Sequence, residues 1–137
     1  MAKTAEQTVL DFCKLWEQQD VEGVVQAMTP DCAYANPPIP AMHGRDEVRA
    51  FIAKLLTTTS KVEFIIHNIA TAANGKTVYT ERTDAFSMGD KRVAAPVMGI
   101  FVVRDGLIHE WRDYSDITGF ITEMRKMGFT PGTELPS

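Results

Sequence analysis

The sequence predicts an α+β fold in which helices precede and cover a curved, antiparallel or mixed sheet. Three observations carry this. Apolar residues recur at helical spacing up to about Thr57, and period-two runs replace them from Val62 onward. Those runs are separated by Asn74-Gly75, Met88-Gly89-Asp90 and Asp105-Gly106, the kind of turn that joins consecutive strands into a meander. A sheet with one apolar face has to be covered, so the helices are expected to lie against it.

Residues 4–19, TAEQTVLDFCKLWEQQ, read as a helix. Thr4 is placed to cap it, with Gln7 three residues on as in a capping box. Val9, Phe12, Cys13 and Trp16 form one apolar stripe. Asp20 is placed to cap a second short helix, about 21–28, that ends before Pro30. In DCAYANPPIPAMHG, Pro37, Pro38 and Pro40 exclude a helix and any central strand. Gly44 to about Thr57 reads as a third helix with Val48, Phe51, Ile52 and Leu55 inward. Four strands follow, Val62 to Ala70, Thr77 to Phe86, Val93 to Val103 and Leu107 to Ile117. Pro96, within the small-residue run AAPVMG, points to an edge or a bulge. A last helix runs from about Thr118 to Met127, with Gly128 placed to end it, and residues 129–137 are expected to be loose.

The 137 residues are the length of one ordinary domain, 1–137, and no repeat divides them. A hydrophobic content of 45% and a charged content of 23% are those of a soluble globular protein. The net charge of −4 is scattered, so no basic block recruits nucleic acid or an anionic membrane. No apolar run is long enough to span a bilayer, and the start, MAKTAEQ, lacks the apolar core of a signal peptide. Cys13 and Cys32 have no motif spacing, and His43, His67 and His109 are far apart, so no metal site is expected. The expectation is a cytoplasmic protein with reduced thiols.

The polar residues within the strands are less ordinary. In YTERTDAF, Arg82 and Asp84 share a face with Val78 and Phe86. In EWRDYSD, Trp111 shares a face with Asp113 and Ser115. One reading is a solvated sheet face with cross-strand ion pairs. The other is a cupped sheet that buries Arg82, Asp84 and Asp113, where one guanidinium serves both acids and one surplus negative charge is relieved by a shared proton. Tyr34 and Asn36 are i and i+2 before the proline run. They read either as an Asn-Pro turn beside a half-buried tyrosine or as two polar groups that hold a water with a carboxylate.

Three segments together, YANPPIPAMHGRDEV, VYTERTDAF and GLIHEWRDYSD, resemble the limonene-1,2-epoxide hydrolase family. The resemblance runs from about Phe12 to Phe120. It implies a cone-shaped α+β fold like that of nuclear transport factor 2, a homodimer, and an enzyme that adds water to an epoxide in one step. No metal, organic cofactor or covalent intermediate is implied. The family's catalytic triple falls on Asp113 as base, Arg82 as bridge and Asp84 as proton donor. Its water-positioning pair falls on Tyr34 and Asn36. The partners implied are a small apolar epoxide and water, with no nucleic acid and no membrane.

The expected substrate lining is Cys13, Trp16, Leu55, Phe86, Ala95, Val97, Trp111, Ser115 and Phe120, each of which also reads as ordinary core. Ser115 stands where the terpene enzyme carries a bulky aromatic, and Ala95 is also small. Both point to a roomier or differently shaped cavity, suited to cyclic epoxides other than limonene oxide. Two other functions of the same fold compete with this one. They are a proton-transfer isomerase or polyketide cyclase, and a non-catalytic binding or dimerisation module.

Overall fold

The computed structural model describes residues 3–128, so the tail expected from 129 to 137 lies outside the described residues. The elements in chain order are α1 (Ala5–Glu17), α2 (Val21–Gln26), β1 (Met28–Asn36), β2 (Ile39–His43) and α3 (Gly44–Leu56). They continue with β3 (Lys61–Thr71), β4 (Thr77–Met88), β5 (Lys91–Arg104), β6 (Leu107–Tyr114) and α4 (Ile117–Lys126).

The strands form one six-stranded sheet in the order β2-β1-β6-β5-β4-β3. The expected meander is its β3-to-β6 part, paired antiparallel throughout. The turn at Asp105-Gly106 has both residues at positive φ, 53° and 76°, as a two-residue hairpin between right-twisted strands requires.

Two strands escape the sequence pattern. β1 carries Pro30 and two exposed residues in a row, and its register against β6 slips between Met28 and Ala33, which hides the alternation. β2 is a short edge strand, so Pro40 costs it no ladder partner. β1 runs parallel to β6, making the sheet mixed. Pro96 lies in β5, where its pairing with Thr83 of β4 is continuous. The β6 register reaches β5 only from Met98 to Arg104, so β5 is locally an edge at Pro96, as the proline leads one to expect, although the strand is central in the sheet order.

The core lies between the inner face of the sheet and the helices. α1 buries Val9, Phe12, Cys13 and Trp16, the stripe its sequence predicts. Thr4 caps it by accepting a hydrogen bond from the Gln7 backbone N–H at 3.1 Å. The reciprocal half of the box is replaced, because the Gln7 side chain donates to Asp11 instead. α3 buries Val48, Ile52 and Leu55. The far side of the sheet has no helix against it among the described residues. It exposes Ile65, Tyr79, Met98 and Tyr114.

Candidate active site

The inner face of β4 presents Val78, Thr80, Arg82, Asp84 and Phe86, all buried. On β6 the alternation breaks at His109, where the β5 register shifts, so that Ile108 and Trp111 both face inward. His109 therefore leaves the inner row and bonds Thr29 at 3.0 Å. Beyond the shift, Trp111 and Asp113 continue the inner row.

Arg82 is fully buried between two carboxylates. Its Nε and Nη2 donate to the two oxygens of Asp84 at 2.9 and 2.8 Å. Nη2 also donates to Asp113 Oδ2 at 2.8 Å, and Nη1 donates to Thr80 Oγ1 at 2.9 Å. The guanidinium carbon lies 5.1 Å from the Phe64 ring centroid and 5.7 Å from that of Phe101, so aromatic faces take the place of water around the cation. The second oxygen of Asp113 accepts the Trp111 indole N–H at 2.7 Å. A tryptophan and an acid share this face because one is the other's hydrogen-bond donor.

Tyr34 and Asn36 come from β1 and are both buried. The parallel β1–β6 pairing sets Tyr34 opposite Trp111, and their rings stack at 4.0 Å. Tyr34 and Asn36 border the same cavity. The strand after Asn36 turns at Pro37 and Pro38, whose peptide bond is cis. The polar pair thus sits on a strand and not in a simple Asn-Pro turn.

A cavity of about 60 Å³ opens beside these groups. Tyr34, Asn36, Asp84, Asp113 and Ser115 are its polar lining. Of the expected apolar lining, Trp16, Leu55, Phe86, Val97 and Phe120 border it. Cys13, Ala95 and Trp111 do not, which corrects three expectations. Trp111 is covered by Tyr34 and packed on Phe12 and Phe101. Cys13 is core on α1, and Ala95 borders a shallow groove between β5 and α4. Ala95 therefore adds no room to the cavity. Ile39, Met42, Phe51, Phe64, Ile117, Ile121 and Met124 also line it and were not expected. The apolar stripes of α3 and α4 carried the signal for Phe51, Ile121 and Met124. Ile39 and Met42 lie on the strand that the prolines concealed.

Burial governs the electrostatics. It pushes the Asp113 carboxyl up to about 6, against the pull of Arg82 and with some help from the charge of Asp84. It also raises Asp84, which Arg82 opposes. Arg82 is disfavoured as a cation by the same burial, but its two acids more than compensate and hold it charged. Two carboxylates around one cation leave a surplus negative charge, and one proton shared by the pair removes it. The Tyr34 phenol is pushed well above its usual range by burial and by Asp113, so it stays a hydrogen-bond donor. The arrangement holds a base, an acid and fixed hydrogen-bonding groups at one wall of an apolar cavity.

Among the described residues, no three His, Cys, Asp or Glu side chains are placed to hold a metal ion. No helix among them is long and apolar enough to cross a membrane. Both cysteines are free and buried.

The fold is the cone of the nuclear transport factor 2-like proteins. A solved structure of an LEH-like epoxide hydrolase from Mycobacterium tuberculosis superposes with a TM-score of 0.74 at 30% identity, covering 89% of this chain and 90% of that one. The structure of PrhC from Penicillium brasilianum superposes at 0.79, covering 93% and 92%, but at 12% identity it shares the fold alone. In sequence, the chain is 34% identical over 106 residues to the epoxide hydrolase EphG of Mycobacterium tuberculosis, covering 77% of this chain and 69% of that protein. The family model of the limonene-1,2-epoxide hydrolase catalytic domain matches residues 3–126, and the chain belongs to that family.

Proposed function

We propose that this chain hydrolyses an apolar, cyclic epoxide to a vicinal trans-diol in one step. The observation that carries it is Arg82 bridging two buried carboxylates beside an apolar cavity that also presents Tyr34 and Asn36. Tyr34, Asn36 and Asp113 hold a water molecule. Asp113, ionised, takes a proton from it as its oxygen bonds to one epoxide carbon. The carbon–oxygen bond of the ring breaks, and the departing oxygen takes the proton of Asp84. One proton has then moved from Asp84 to Asp113, and exchange through the coupled pair restores it. The attacked carbon is inverted. Arg82 stays charged and keeps both acids in place.

Each part supplies a known kind of rate gain. General acid and base groups contribute about 10²–10⁴-fold each, and a water held in line adds an orientation gain. A strained ring needs no covalent intermediate, so neither carboxylate has to act as nucleophile. An isomerase of this fold moves protons on a carbon acid and has no use for a held water, which disfavours that alternative.

The test is turnover of limonene oxide, cyclohexene oxide and a steroid epoxide in H₂¹⁸O, beside Asp113→Asn. Label is expected in the diol on the first turnover, with activity reduced at least ~10²-fold in the folded variant. Near-normal turnover by Asp113→Asn sinks the assignment. So does a first-turnover diol whose oxygen comes from the protein. The chain is further proposed to act as a homodimer, as the family resemblance implies.

A further inference from the structure

The two acids of the pair stand on strands that are not neighbours. β5 lies between them, so the bridge from β4 to β6 crosses about 10 Å of sheet. Thr80 of β4, Gly99 of β5 and Asp113 of β6 form one row by register. The Arg82 guanidinium lies across this row, bonded to Thr80 on one side and Asp113 on the other. A Cβ placed on Gly99 would stand 2.7 Å from Asp113 Oδ1 and 3.0 Å from Thr80 Oγ1, and would overlap Arg82 Nη1 at only 2.3 Å. The φ of Gly99 lies outside the positive region, so the backbone itself does not demand glycine there. What demands it is the side chain crossing above.

We propose that Gly99 is a positioning residue, a gap in the inner face of β5 through which Arg82 reaches Asp113. This rests on the assignment of Asp113 as base and Asp84 as acid. The neighbouring inner positions of β5, Val97 and Phe101, carry full side chains, so the gap is local to the bridge. Thr80 closes its far side and fixes the rotation of the guanidinium through Nη1. With the gap filled, Nη1 has to leave, and the same plane carries Nη2 away from Asp113.

The experiment is Gly99→Ala, alone and with Arg82→Lys, beside Arg82→Lys alone. Lysine keeps the charge but has no atom at the Nη1 position. On the wild type, Gly99→Ala is expected to lower kcat more than ~10²-fold, with KM changed far less. The acid limb of kcat/KM is expected to move up by about one pH unit, because Asp113 loses the cation that lowers its pKa. Unfolding in urea supplies a readout that needs no substrate. The cost of Gly99→Ala is expected to be smaller in the Arg82→Lys background than in the wild type. This holds whether or not Gly99→Ala alone folds well, since a recovery by the double variant is itself the signature. Equal costs in both backgrounds, or an unmoved acid limb in an active Gly99→Ala, overturns the proposal. Wild-type protein inert toward every epoxide, with the stability coupling intact, would instead remove the proposed reaction and leave the gap standing.

Discussion

At the scale of single residues, the protein carries an acid where its fold would be cheaper without one. Asp113 is buried, and burial outweighs the attraction of Arg82, so its carboxyl titrates near 6 in the folded chain against about 4 in an unfolded one. The sign of the linkage follows. The folded state holds the proton more tightly between those values. The stabilisation is therefore fully present below about pH 4 and is lost as pH rises through 6. Asn cannot titrate, so Asp113→Asn removes this dependence. Between pH 4 and 7 the wild type is expected to lose about 2 to 3 kcal/mol relative to Asp113→Asn, as measured by urea unfolding at both pH values. A constant difference would mean that burial does not raise this carboxyl. Trp111 was expected as cavity wall, but its ring is covered, and its role near the site is the N–H it gives to Asp113. Sequence spacing put the two on one face. It could not show a hydrogen bond, because i and i+2 on a strand describes direction and not contact.

At the scale of elements, the helix that closes the cavity is held by the last acid of EWRDYSD. Asp116 is the N-cap of α4 and accepts the Gly119 backbone N–H at 3.1 Å. The sequence predicts a strand continuing to Ile117, but the strand ends at Tyr114 and α4 begins at Ile117. Gly119 has the same relation to Asp116 that Gly23 has to Asp20. In both, the capping carboxylate occupies the space a Cβ would need, at 2.3 Å for Gly119. Glycine within a helix ordinarily costs about 1 kcal/mol against alanine, so Gly119→Ala looks like a stabilising change. Here it is expected to bring no gain, because the methyl displaces the cap and a lost cap costs about 1 kcal/mol. Thermal unfolding of Gly119→Ala decides this, and a clear rise in Tm would refute it. The helices were legible because caps and apolar stripes are local signals. β1 and β2 were not. β1 pairs with β6, far along the chain, β2 pairs with β1 alone, and their prolines and irregular register erase the alternation that marks a strand.

At the scale of the whole molecule, the sheet has two unlike faces. The inner one holds the core and the polar cluster. The outer one exposes Met98 and Tyr114, 49% and 47% accessible, in the same cross-strand row. Large apolar side chains gathered on an uncovered face suit burial against a partner, in keeping with the proposed homodimer. Met98→Lys with Tyr114→Glu is expected to halve the mass measured by sedimentation, while the far-ultraviolet dichroism stays the same. A wild-type chain that sediments as a monomer at micromolar concentration would remove the homodimer from the account. The α+β class and the meander were legible in the sequence, while Tyr34, Asn36, Asp84 and Asp113, which border the cavity, were singled out by the family resemblance and left open by spacing. The mixed character of the sheet was not derivable from spacing, since a parallel partner announces itself only through the fold that brings it there.

The parallel contact between β1 and β6 also fixes an order of events. Thr29 and His109, bonded across it, are 80 residues apart, and Tyr34 meets Trp111 by the same pairing. Contacts that span most of a chain form late, because the loop between them must close first. On the ribosome, Tyr34 and Asn36 leave the exit tunnel long before Asp113 exists. The nascent chain therefore carries Tyr34, Asn36, Arg82 and Asp84 before the last member of the cluster, Asp113, is made. With Asp113 as the proposed base, no shorter nascent chain carries a competent site.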